Sequence, residues 1–140
     1  MKIWVINAFL SMIFAGVTSV MAKQGLSGIS ADLGLAVRTA LVFVMTTIFA
    51  CFVVPQSELA SLKIPNWLWL AASALTTTAS WIFYYRAIKD GEVSTVALID
   101  KGSVVVAVVL AVWFLNESIT VHKAAGAALI VAGLFLIARG

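Results

Sequence analysis

The stretch VSTVALIDKGSVVVAVVLAVWFL, residues 93–115, decides the fold class. Thirteen of its residues are Val, Leu, Ile or Phe, and the only charges are Asp100 and Lys101, about 10–12 Å along the axis if the stretch is one helix. A run of about 20 mostly apolar residues matches the hydrocarbon thickness of a bilayer. An ionised residue near a span centre opposes insertion by about 2.5–3.5 kcal/mol, whereas each large apolar residue favours it by about 0.3–0.6 kcal/mol. The thirteen therefore roughly balance the pair. A helix that gives up most of its insertion energy to carry two charges is most simply explained if those charges act.

The rest of the chain has the same character. Of 140 residues, 63% are hydrophobic and 11% charged, and the mean hydropathy is +1.11. A soluble globule of this size could not cover itself with polar side chains. Apolar runs between charged or Pro-containing breaks predict five helices, over residues 3–21, 33–54, 67–85, 93–115 and 124–137, joined by short turns. Helices are required because only a helix satisfies its own backbone in lipid, and no strand-like alternation suits a barrel. The first run competes with a reading as a cleavable leader. Its length and the helical spacing of Asn7, Ser11 and Thr18 favour a retained span.

Five crossings put the termini on opposite sides. Lys2, Lys63 and Lys123 then face Lys23, Arg86, Lys89 and Arg139, with Arg38 close by, which leaves almost no positive-inside bias. Two copies in opposite orientations are expected to pair, unless a few residues fix one orientation. Scattered single basic residues exclude a nucleic-acid surface. The single Cys51 excludes a disulfide framework, and His122 has no second histidine beside it for a metal cluster. No nucleophile–base set or phosphate loop is present, so neither an enzyme nor a cofactor or metal site is expected.

Polar positions line up inside the spans. Asn7, Ser11 and Thr18 share one face of the first helix, and Thr77, Thr78, Trp81, Tyr84 and Tyr85 form a hydroxyl and aromatic stripe in the third. Helix glue and interfacial anchoring compete with ligand binding there. Trp4, Trp67, Trp69 and Trp113 read as an aromatic belt. In the fourth helix Asp100 shares an arc with Ser103, Ala107 and Ala111, whereas Lys101 falls among Val104, Val105, Val108 and Val112, an arc suited to lipid. Asp100 is the expected binding or proton-linked acid, with an ion pair to Arg38 as the structural alternative. In the last helix Ala124, Ala128 and Ala132, with Gly126 and Gly133, present small residues suited to packing or dimer contact.

The segment Tyr84-Tyr85-Arg86-Ala87-Ile88-Lys89-Asp90-Gly91-Glu92-Val93, continuing through Ile99-Asp100-Lys101-Gly102-Ser103, then Phe114-Leu115-Asn116-Glu117-Ser118-Ile119-Thr120 and the glycines Gly126 and Gly133, resembles an EamA-type domain of the drug/metabolite transporter superfamily, in its five-helix bacterial and archaeal form. The resemblance covers essentially the whole chain. Gly102 stands where that pattern has a larger apolar residue, which suggests a wider space beside Asp100. Larger relatives hold two such units as an inverted repeat, so the resemblance implies that this unit pairs with an antiparallel copy or an oppositely oriented paralogue around a midplane site. The four-helix exporters of the superfamily use a first-helix carboxylate. This chain has Asn7, Ser11 and Thr18 there, leaving Asp100 as the available acid.

These readings predict an all-helical, multi-pass protein of a bacterial or archaeal inner membrane that moves a small metabolite or drug-like amphiphile by alternating access. Trp81 and Tyr85 are expected against the substrate's apolar part and Asn7, Thr18 and Ser103 against its polar groups. Asp100 is expected against a cation or proton, with Lys23, Arg38 and Lys101 as weaker anion ligands. A non-transporting subunit that binds a partner membrane protein is the alternative.

Overall fold

Ser30 starts a helix by accepting a hydrogen bond from the Leu33 N–H at 3.2 Å, and Asp32 places an acid in the same first turn, where the exposed N–H groups favour it. The helix it opens runs antiparallel to the longest helix in the chain. In a computed structural model, which describes residues 2–137 and 139, the elements are α1 Ile3–Gly25, α2 Ala31–Val53, α3 Gln56–Ala60, α4 Ile64–Asp90, α5 Val93–Asp100, α6 Ser103–Leu115 and α7 Val121–Ile137. No strand occurs among the described residues.

Each predicted span coincides with helix, apart from residue 54 at the end of the second and the turn at Lys101 and Gly102 within the fourth, and three boundaries carry information. Pro55 disfavours helical backbone at Val54 and ends α2, after which Glu58 N–H bonds the Pro55 carbonyl and starts the short α3, a helix the apolar pattern does not reveal. Pro65 sits in the first turn of α4, where a missing N–H is harmless, and that helix continues to Asp90, well past residue 85. α6 ends on Asn116 in the left-handed conformation (φ 52°, ψ 33°), a role Asn tolerates better than most residues.

The stretch 93–115 stays one rod with a pinch in it. Lys101 N–H is shared between the carbonyls of Ala97 (3.3 Å) and Leu98 (3.2 Å), and Gly102 N–H bonds Ile99 O at 2.9 Å. Val104 and Val105 likewise bond three residues back, so the helix tightens through a 3₁₀ turn at the two charged residues. A Cβ on Gly102 would lie 2.8 Å from Leu134 Cδ1 and 3.0 Å from Ile99 O. The absent side chain therefore leaves no widened space beside Asp100, because Leu134 of α7 occupies it.

Two compact units share the chain, dividing within α1: residues 21–90, and residues 1–20 with 91–140. In the first, α2 packs on α4; in the second, α7 packs on α5 and α6. The buried residues among those described are Leu26, Tyr85 and Ile88, and α1, α2, α6 and α7 have none. Phe14, Phe43, Phe52, Leu75, Phe83, Trp113 and Leu136 all stay largely exposed. An apolar surface this extensive is at home against acyl chains and not against water. Ile3–Gly25, Ala31–Val53 and Val93–Leu115 are each long and apolar enough to cross a membrane; α7 is apolar but shorter, and the Ser and Thr residues of α4 dilute its hydropathy.

Candidate functional site

In the unit of residues 21–90, α2 brings a cation onto the aromatic face of α4. The Arg38 guanidinium lies 4.6 Å from the Trp81 ring centroid and 5.8 Å from that of Tyr85. Tyr85 is only 4% exposed, so it forms the floor beneath the charge, and Trp81 is half-buried beside it. Such contacts stabilise a cation by about 0.5–2 kcal/mol but satisfy none of its hydrogen bonds. Arg38 Nη1 is buried without a hydrogen-bond partner. A buried guanidinium nitrogen without an acceptor is costly, and it marks a place where an anionic or carbonyl oxygen would be favoured.

Next to this stack the two helices form a groove of about 590 Å³. Its walls are apolar: Leu35, Ala36, Ala40 and Phe43 from α2, with Trp81 and Ile82 from α4. Thr39 and Thr78 add hydroxyls, although Thr78 donates to its own helix at Ala74 O (2.8 Å). Asp32 and Arg86 close one end, where Arg86 Nε donates to Asp32 Oδ1 at 3.1 Å and Nη2 to Oδ2 at 3.3 Å. Both side chains are more than half exposed, so the pair adds only about 0–1 kcal/mol to stability.

The same unit is fastened by two lysines. Lys23 Nζ donates to the carbonyls of Ile88 (2.6 Å) and Lys89 (2.9 Å), and Lys89 Nζ donates back to Leu26 O at 2.8 Å. Each lysine thus caps the other helix's carboxyl end, where unsatisfied carbonyls carry partial negative charge. Lys23, expected among the weaker anion ligands, is engaged in this clasp. Leu26 inserts beside Gly34, where a Cβ would overlap its Cδ2.

In the unit of residues 1–20 and 91–140, the pinch holds Lys101 Nζ 3.9 Å from Asp100 Oδ2. Helical projection separates these neighbours by about 100°, and the flexible lysine stem closes the gap. Ser103, Asn7 and Thr18 are exposed, and Thr18 donates to Phe14 O at 2.8 Å. Val105 and Val108, on the arc expected to meet lipid, are half-covered in the structure. A second groove of about 360 Å³ runs along Val104, Ala107, Val108 and Ala111 to the Glu117–Lys123 pair, 3.5 Å apart. On α7, Ala124, Gly126, Ala128 and Ala132 are exposed and Gly133 is half-covered. No cluster of three or more metal-ligating side chains occurs among the described residues.

The structure thus gathers Arg38, Trp81 and Tyr85 in one unit and Asp100, Lys101 and Ser103 in the other. Asp32 and Arg86 are the site residues that pattern reading misses. Their signal was opposite charge at the same end of consecutive long spans, obscured because each also reads as a helix-end residue.

The EamA-like transporter family model matches residues 2–139. A Sinorhizobium sp protein described as an uncharacterized transporter in the cobO 3' region is 35% identical over 135 residues, covering 96% of this chain and 96% of the relative. No solved structure matches the chain. A match over essentially the full length identifies a multi-pass membrane protein of a transporter family: the chain belongs to the EamA-like transporter family.

Proposed function

We propose that this chain is one five-span half of an inner-membrane transporter that moves a small amphiphilic metabolite by alternating access. The observation that carries the reading is the α2–α4 groove, apolar along its walls and charged at one end, in a chain of the EamA-like family. The substrate's apolar body lies against Trp81, Ile82 and Phe43. Arg38, stacked on Trp81 and Tyr85 with Nη1 unpartnered, supplies a cation that an opening of α2 from α4 would present to an anionic oxygen.

An odd number of spans makes one unit directional, so a second copy in the opposite orientation supplies the complementary half. The exposed small residues Ala124, Ala128 and Ala132 of α7 provide a surface on which helices approach closely. An oppositely oriented paralogue would serve equally well. The same surface favours the second reading, a subunit that stabilises a partner membrane protein without moving solute. Asp100, at the pinch with Lys101, is the candidate acid for a coupling cation or proton.

Solute uptake into proteoliposomes tests transport. Ala40→Phe fills the groove and is expected to abolish flux while elution and melting stay unchanged; full flux in that variant would remove the groove from the path. Asp100→Asn is expected to abolish coupled flux and leave assembly intact.

A further inference from the structure

We propose that the α2–α4 groove selects amphiphiles with a zwitterionic head, read by the Asp32–Arg86 pair. This rests on the transport reading only in taking the groove as the substrate's place. The groove's charges sit at one end, and they are one of each sign. From Asp32 to Phe43 the α2 wall descends about 16 Å, and below the pair its lining is apolar apart from two threonines. A ligand that fills it therefore carries its charge at one tip and an apolar body behind.

The geometry of the pair specifies that tip further. Arg86 engages Asp32 side-on through Nε and Nη2, which leaves Nη1 outside the contact. The carboxylate keeps its negative charge and free lone pairs while bonded to Arg86, so Asp32 can attract a ligand's cationic nitrogen, protonated or quaternary, without releasing that partner. An anionic head alone would gain Arg86 but meet the Asp32 carboxylate, and a cationic head alone would meet the guanidinium. A head with both charges complements the pair without breaking it. The pair's exposure makes the exchange easy, because the protein encloses neither side chain and little rearrangement accompanies a new partner.

The test uses the full chain in nanodiscs of an anionic phosphoglycerol lipid, with three probes that share a hexyl tail: a sulfobetaine, a sulfate and a trimethylammonium. Calorimetric titration of wild type is read against Ala40→Phe in the same discs, which removes partitioning into the bilayer. The sulfobetaine is expected to bind roughly tenfold tighter than either singly charged probe. Asp32→Asn should weaken the sulfobetaine and move the sulfate ahead of the ammonium; Arg86→Gln should weaken it and reverse that order. Arg86→Lys keeps the charge and should keep the sulfobetaine first, and it serves where the glutamine variant fails to fold.

Equal affinity for all three heads, or an equal loss of all three in both charge variants, would overturn the proposal. Disappearance of sulfobetaine binding in phosphocholine discs would support the zwitterionic head and assign it to a bilayer lipid, whereas binding that persists there assigns it to a dissolved amphiphile. Flux without this order of preference would leave transport standing and remove the zwitterion. The order without flux would leave the site standing and remove transport.

Discussion

The two units solve the same problem with different chemistry. Residues 21–90 are held by directional contacts: reciprocal lysine caps, a guanidinium on two rings, and the buried side chains Leu26, Tyr85 and Ile88. The unit of residues 1–20 and 91–140 has none of these buried residues and packs α7 on α5 and α6, with Leu134 against Gly102 and Val105, Ala127 and Ile130 only half-covered. Lipid is as apolar as those side chains, so they gain little from leaving it, and close backbone approach becomes the available source of contact. The first unit is thus fixed by a few irreplaceable groups, and the second by fit.

Side-chain truncation should break this comparison most sharply. Ile88→Ala, at a fully buried position beneath the Lys23 caps, is expected to destabilise by about 2–4 kcal/mol. Leu129→Ala on α7, where 74% of the residue is exposed, should change stability by less than about 0.5 kcal/mol. Unfolding in mixed micelles reads both, and equal losses would mean that the units do not differ in this way.

Fit is tested from the other side by Gly102→Leu, whose side chain meets Leu134. About 1–3 kcal/mol should be lost, and Leu134→Ala in the same chain should restore much of it. The clasp is sharpened by a double-mutant cycle on Lys23→Met and Lys89→Met. Each single change removes a charged donor from helix-end carbonyls and should cost about 1–2 kcal/mol, with a clear coupling between the two. A small effect, below about 1 kcal/mol, is expected at Asp32→Asn, because the ion pair it breaks is exposed. A large stability loss there would make the pair a structural element and not a ligand-reading one.

Much of the architecture is legible because apolar length and charged punctuation are local signals. Residues 93–115 declare a span, and the structure keeps it as one rod. The pinch at Asp100–Gly102 is not local, since Leu134 reaches Gly102 from thirty-odd residues away. Gly102 therefore reads as an opening in the sequence and is filled in the fold. Trp81 is legible as a pocket wall because it lies a turn deeper than the tyrosines on a hydroxyl face. Asp32 and Arg86 are not, because a charge at a helix end has an adequate explanation in insertion and dipole effects until a partner helix is placed beside it. Lys23 illustrates the converse, since its carbonyl partners lie 65 and 66 residues away.

The claim that one unit completes itself with an inverted copy is tested most directly by the orientation of the C-terminus. Paired fusions carry one reporter active only outside the inner membrane and one active only inside. Comparable activity from both is the expected result, since Lys2, Lys63 and Lys123 nearly balance Lys23, Arg86, Lys89 and Arg139. Activity from only one would contradict the antiparallel homodimer.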